Sequence, residues 1–404
     1  MYITRNGLLE PLGQSQVMAY LRGLSSEYRV TLISFEKPED AANITAMAKA
    51  RADCEALGIR WLPQRFHYRP KLLAPAWCMI VFVFLCLREV WCGNATLIHA
   101  RSYIPATVAL LVNGLTGTPF IFDMRALWPE ELITASRLRR GSLLHKAITA
   151  VERMCLKRAA AVISLTDAAV EHLHRKYPAE LENQRVYVIP TCADLDRFVP
   201  VEENSQGPRV YGCLGTVTSG WFKIDWLAAF FNAAAARDPE ARFQIVSRDD
   251  DAIIRSAIGN HAGLQERIDI LSAAPHAVQD VVRCHSVSVM FFSEGLSKLG
   301  SSPTRMGEVL GCGLPVVANP GVGDMARIIK DHRVGVLVSG PGAKEMAGAL
   351  DELDTLLSDP DLGKRCRKAA ETLFSLQGGT AGYKRIYRQI CAMNAGTQSP
   401  EVIL

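Results

Sequence analysis

The 404-residue sequence predicts an α/β protein of two domains, each an open sheet of parallel strands joined by helical crossovers. Three observations predict it. The chain is longer than a single hydrophobic core usually supports. Short β-rich runs alternate with amphipathic helical segments, and the alternation runs twice. Between the two series lies a polar stretch with one Gly and two Pro at 200–208, PVEENSQGP. The reading divides the chain into a first domain at 1–200, a second at 201–375, and a helix and tail at 376–404 that pack back on the first.

In the first series the strands are expected at 28–35, 96–100, 119–123, 160–165 and 186–190, after a short strand at the start. Helices are expected at 16–25, where Val17, Tyr20, Leu21 and Leu24 share a face, at 105–115, and at 138–159. The second series places strands at 209–214, 242–246, 268–271, 286–292, 314–318 and 334–338. From 343 to 391 the pattern is helical only, with breaks near 359–360 and 377–379.

Composition narrows the function classes. With 49% hydrophobic and 21% charged residues the chain is an ordinary globular protein and not a disordered one. Residues 1–200 carry 24 Lys+Arg against 18 Asp+Glu, a net +6, while 201–404 carry 21 against 23, a net −2. That asymmetry fits either a first domain facing anionic lipid or phosphate, or a chance distribution. No dense basic run with interleaved aromatics occurs, so nucleic acid is not an expected partner. The eleven cysteines, among them Cys78, Cys86, Cys155, Cys213, Cys284 and Cys312 in apolar runs, read as reduced core residues of a cytoplasmic protein. No CxxC pair is present, and neither a metal nor a cofactor is expected. Met1 leads straight into a strand and a glycine loop, so no leader is expected.

The run 72–87, LLAPAWCMIVFVFLCL, has sixteen residues without a charge and contains Pro75, which is short for a bilayer span. A buried domain helix and a helix lying among lipid headgroups both remain open. Arg65, Arg69 and Lys71, and further on Arg137, Arg139, Arg140 and Lys146, suit an anionic inner-membrane face or simply a solvated one.

Four segments carry candidate chemistry. The loop 8–16, LLEPLGQSQ, joins the first strand to the first helix, and Gly13 permits close backbone approach of an anion. At the end of a predicted strand, 122–131 (FDMRALWPEE) gathers Asp123, Arg125, Trp128, Glu130 and Glu131, and open α/β sheets bind ligands at that edge. His99 and Arg101 end the preceding strand; His99 reads equally as a hydrogen-bonded core histidine. The fourth, 299–324, opens a helix with Ser301, Ser302, Pro303 and Thr304, where free amides could receive a diphosphate. Arg305 adds charge, and Glu308 is placed one turn on to accept hydrogen bonds from ribose hydroxyls.

These segments resemble the retaining, nucleotide-sugar-dependent glycosyltransferases of family 4. The resemblance implies the GT-B fold, two Rossmann-like domains whose parallel sheets face a central cleft, with a C-terminal helix crossing back to the first domain. Glu308 matches the second glutamate of the family's E-x7-E pattern, but Gly300 stands where the first is usual. The Arg and Lys that commonly grip the diphosphate are not evident in GCLGTVTSGWFK, where Thr216 and Ser219 stand and Lys223 follows, so Arg305 and Arg248 would supply the charge. The implied donor site is Gly13, Thr216, Arg248, Ser301, Ser302, Thr304, Arg305 and Glu308. Glu10, Gln14, Gln16, Arg101 and Trp128 fall on the acceptor side, and Asp123, Arg125 and His99 are the catalytic candidates. The implied reaction transfers a sugar to a glycan or lipid-linked saccharide of the cell envelope without a metal. A sugar-nucleotide epimerase, a non-catalytic binding protein and a membrane scaffold are the competing readings.

Overall fold

The structure, a computed structural model, describes residues 1–67, 73–200, 207–259 and 263–396. Most of the expected linker, and Arg69, Lys71 and Leu72, lie outside the described residues. The chain divides into two compact units. One is Met1–Ile189 with the residues from Gly379 on, the other Pro190–Gly378. The division thus falls eleven residues before the expected one, because residues 190–200 pack into the second unit: Ala193 pairs with Ser375, and Leu195 and Phe198 close on Gly311.

The first unit holds seven strands, β1 (Tyr2–Thr4), β2 (Thr31–Glu36), β3 (Arg60–Arg65), β4 (Ile98–Arg101), β5 (Phe120–Asp123), β6 (Ala161–Ser164) and β7 (Val186–Val188). They pair in parallel in the order β3-β2-β1-β4-β5-β6-β7. Strands such as β5 (FIFD) and β6 (AVIS) are buried along their whole length, as expected where helices cover both faces. Strand β3 was not expected: RWLPQR has Pro63 and charged ends, a pattern tolerated at a sheet edge. The strand order reverses between β1 and β4, which opens a crevice at their carboxyl ends.

The helix expected over 138–159 begins only at Leu143. Gly141 takes a left-handed φ of 80°, and the Ser142 hydroxyl caps the helix by accepting the His145 amide. The last helix, Leu376–Gly396, runs through the glycines at 378 and 379 where a break was expected, and the break falls instead at Phe374 and Ser375. Beyond Gly379 this helix belongs to the first unit, where Tyr383 and Tyr387 are buried.

The second unit holds β8 (Val210–Leu214), β9 (Arg242–Val246), β10 (Ile268–Leu271), β11 (Val287–Met290), β12 (Val316–Ala318) and β13 (Gly335–Leu337), all parallel, in the order β10-β9-β8-β11-β12-β13. Its core stacks Phe230, Phe231, Phe243 and Phe291 between sheet and helices. Here the order reverses between β8 and β11. All eleven cysteines are unpaired and eight are buried; Cys284 is exposed, not a core residue as its apolar neighbours suggested.

Candidate functional site

In the first unit the chain leaves β1 through a tight loop and enters a π-helical turn, Gly13–Met18, that continues as the α-helix Ala19–Leu24. A carboxylate the sequence did not single out organises this loop. Glu36, buried at the end of β2, accepts the Leu8 amide at 2.8 Å, the Leu9 amide at 3.3 Å and the Ser34 hydroxyl at 2.7 Å. The loop's own packing requires Gly13: a Cβ there would lie 2.1 Å from the Gly7 carbonyl oxygen and 2.7 Å from that of Leu8. Since both obstacles are backbone, Gly13→Ala is expected to cost about 1–3 kcal/mol and lower the melting temperature by roughly 5 °C, measurable by circular dichroism. A melting curve unchanged from the parent would refute this packing role.

Below the loop lies a buried polar network at the carboxyl ends of β4 and β5. Thr4, Arg101 and Asp123 stand side by side in register on β1, β4 and β5. Asp123 is fully buried. Its Oδ2 accepts Tyr383 Oη at 3.2 Å and His99 Nε2 at 3.3 Å, while Arg101 and Arg125 approach the carboxylate at 3.8 and 3.9 Å. An ionised carboxylate can only accept, so His99 carries its proton on Nε2 and takes the Tyr387 hydroxyl on Nδ1 at 2.7 Å. Burial would raise the Asp123 pKa, but Arg125, His99 and Arg101 together hold it below the usual carboxylate value. Burial lowers that of His99, which stays neutral. Arg125 adopts a left-handed φ of 62°, which turns its guanidinium back so that it and Arg101 both donate to Gln16 Oε1, at 2.9 and 2.7 Å.

Two of the three catalytic candidates are enclosed in this network. Asp123 and His99 are 0% and 2% exposed: His99 bonds to the Asp123 carboxylate, which faces the two arginines, and these in turn hold Gln16 on the π-helical turn. Glu130 and Glu131 do not join them, because Glu130 pairs with Arg140 and Lys176. Gln14 also stands apart, with Nε2 on the Leu8 carbonyl.

Two acceptor-side residues do meet. Glu10 and Trp128 line a cavity of about 260 Å³ with Arg5, Lys37, Phe66 and Ser102. Glu10, the only acid among the described residues of that lining, accepts the Gly7 amide and pairs with Lys37 at 3.2 Å. Arg5 lies over the Phe66 ring, 5.0 Å from its centre. Two cations, one carboxylate and aromatic walls suit a polar ring such as a sugar, and Arg5, Lys37 and Phe66 were beyond sequence reasoning because they come from three separate loops.

In the second unit the helix Thr304–Gly311 starts after Pro303, and no side chain caps it. Its buried face packs tightly: a Cβ on Gly307 would lie 2.7 Å from the Phe374 side chain. Glu308 faces the other way, 15% exposed, and accepts Arg305 Nη1 at 3.0 Å. Ser302 is already engaged, its hydroxyl accepting the Thr191 amide at 3.2 Å. The positive end of this helix, Arg305 and Glu308 are therefore what this element offers a polyanion with a vicinal diol.

Thr216 is exposed beyond β8, in a loop whose next two amides, Val217 and Thr218, are held by Asp249 at 2.7 and 2.9 Å. Arg248 lines a cavity of about 490 Å³ formed by residues after β9 and β10, a lining that does not include 301–308. Cations nearer the strand-order reversal are Lys223, paired with Glu294 at 2.6 Å, and Lys298, buried with its ammonium 3.2 Å from the centre of the Trp221 ring. Lys298 and Glu294 were legible in SEGLSKLGSS, but at 10 and 14 residues before Glu308 they fall outside the eight-residue spacing that the resemblance directed attention to.

Comparison with known proteins matches each unit. Residues 13–197 match the family described as Glycosyltransferase Family 4, and residues 208–355 match Glycosyl transferases group 1. A 2-deoxystreptamine N-acetyl-D-glucosaminyltransferase of Streptomyces fradiae is 28% identical over 243 residues, 57% of this chain and 55% of that protein, so the match spans only about half of that relative's length. Among solved structures, sucrose-phosphate synthase from Thermosynechococcus elongatus superposes with a TM-score of 0.70 at 18% identity over 97% of this chain and 98% of its own. Anabaena HepE, solved in complex with UDP and glucose, gives 0.65 at 14% identity over 96% and 98%.

Proposed function

We propose that the chain, whose two units match Glycosyltransferase Family 4 and Glycosyl transferases group 1 and share the GT-B fold, moves a sugar from a nucleotide-sugar donor to a glycan or lipid-linked saccharide in cell-envelope polysaccharide synthesis, with retention at the anomeric carbon. The observation that carries the reading is the helix Thr304–Gly311, whose start no side chain caps, with Arg305 and the partly buried Glu308 in its first turns. Transfer leaves a nucleoside diphosphate, and the negative charge that develops on it as the glycosidic bond breaks needs preorganised donors. The helix amides and Arg305 provide them, and Glu308 orients the donor through its ribose. Lys298 and Lys223, at the same edge of the sheet, add the positive charge that Thr216 and Ser219 lack, so no metal enters this reading. In the first domain Glu10, Trp128 and Arg5 receive the acceptor sugar, and Gln16 stays in place through Arg101, Arg125 and the carboxylate of Asp123. The unpaired cysteines agree with a reducing, cytoplasmic setting. HepE, a fold relative solved with UDP and glucose, supports a uridine nucleotide as the first donor to try.

The test is thermal stability of the purified protein against UDP-, GDP-, ADP- and CMP-sugars, since a ligand that binds only the folded state raises its melting temperature. One nucleotide class is expected to shift it by several degrees at saturation. Turnover of that donor only when a saccharide acceptor is added supports transfer, whereas conversion without acceptor identifies an epimerase. No shift with any donor overturns the reading.

A further inference from the structure

Three helices cover one face of the first sheet side by side: Leu73–Trp91, which crosses from β3 to β4, Tyr103–Thr116, from β4 to β5, and Leu143–Arg158, from β5 to β6. A helix lying on a sheet normally turns a polar stripe to water. The first two do the reverse, and the third mixes exposed apolar residues with basic ones. On the first, Trp77, Ile80, Phe84 and Trp91 recur at i, i+3, i+7 and i+14, a single narrow stripe, and each is between 58% and 65% exposed. On the second, Leu111 and Leu115 are exposed one turn apart, and on the third Leu143 and Met154 share an exposed face. Isolated exposed apolar residues are ordinary, but large ones repeated across three adjacent helices mark an interaction face.

The charges identify the partner. The three helices contain two carboxylates, Glu89 and Glu152, and both are buried: Glu89 binds Arg60 and Arg88, and Glu152 accepts from Tyr103, Tyr177 and Lys176. Their exposed cations include Lys146, Lys157 and Arg158, with Arg137 and Arg139 in the turn before the third helix. The face is thus apolar along its ridges and basic at its rim, with no exposed carboxylate from its own helices. We propose that it docks on an anionic lipid bilayer, with the Trp77–Trp91 stripe lying in the headgroup region. A two-fold contact with a second copy would set this basic rim against itself, which like-charge repulsion opposes. Among the described residues no helix is long and apolar enough to cross a membrane, so the contact is with one leaflet. The inference goes beyond the transfer reaction and does not depend on which sugar is moved.

The experiment is co-sedimentation of the full chain with vesicles of phosphatidylcholine alone or mixed with phosphatidylglycerol, at low and high salt. Binding to the anionic vesicles is expected to exceed that to neutral ones by about tenfold and to weaken with salt. The variant Trp77→Ser/Phe84→Ser/Trp91→Ser should lose about tenfold or more of that binding while keeping the parental melting temperature and donor-induced thermal shift. A chain that stays in the supernatant with anionic vesicles, or a triple variant that binds as well as the parent, overturns the proposal. So does a dimer in sedimentation velocity that the triple variant abolishes when neither protein binds vesicles.

Discussion

Replacing Glu308 with alanine is expected to lower kcat/KM for the nucleotide-sugar donor by about a hundredfold or more. The side chain is half-buried on the open face of the helix that follows Pro303, and Arg305 holds one of its oxygens at 3.0 Å. A carboxylate so oriented can accept from both hydroxyls of a ribose, and each hydrogen bond to a charged group contributes about 1.5–3 kcal/mol, so loss of the pair accounts for the factor. Alanine also removes the ion pair that positions Arg305, which disperses the charge proposed to meet the departing diphosphate. Because the side chain is partly solvated, the fold should be spared, with melting within a degree or two of the parent. Glu308→Gln keeps one acceptor oxygen and should fall between, about tenfold below the parent. Initial rates at varied donor concentration give both values. An alanine variant within threefold of the parent would remove Glu308 from the donor site.

The helix that carries Glu308 was legible from sequence because everything that defines it is local: the serines, Pro303, Arg305 and the glutamate lie within eight residues. The strands were legible for a similar reason, since a parallel strand covered on both faces is a short apolar run whatever its neighbours. Where long-range contacts decide, the sequence was silent. Strand β3, with Pro63 and a single fully buried residue, Trp61, is a strand only because β2 pairs with it throughout. Asp123 looked like a reactive acid because open sheets bind ligands at that edge. What removes it from solvent is Tyr383, 260 positions away in the last helix, and no local pattern announces that. Glu36 escaped notice likewise: its partners Leu8 and Leu9 lie 28 and 27 residues earlier.

Asp123→Asn separates the two roles. If Asp123 were the base that activates the acceptor, the amide would abolish turnover and leave melting unchanged. Its place between Arg101 and Arg125 points the other way. Removing the counter-charge of two buried guanidinium groups typically costs about 3–5 kcal/mol. At about 2–4 °C per kcal/mol for a domain of this size, the first unit's melting transition should fall by roughly 10 °C at pH 7, while turnover per folded molecule stays within a few-fold. The pH dependence carries a second signature. The folded-state pKa of Asp123 lies below its unfolded value, so its stabilisation is fully present above about pH 4 and is lost as pH falls through the folded value. His99, lowered by burial, contributes in the same direction at higher pH, because the fold excludes its proton: stability should begin to decline below about pH 6.5. The parent therefore loses the Asp123 charge itself in strong acid, and the gap between parent and Asp123→Asn should narrow below about pH 4. Melting curves of the two proteins from pH 3 to pH 8 test this. A gap that persists unchanged to pH 3, or no gap at pH 7, would mean that the arginines find their counter-charge elsewhere, and the acceptor-base role of Asp123 would have to be reconsidered.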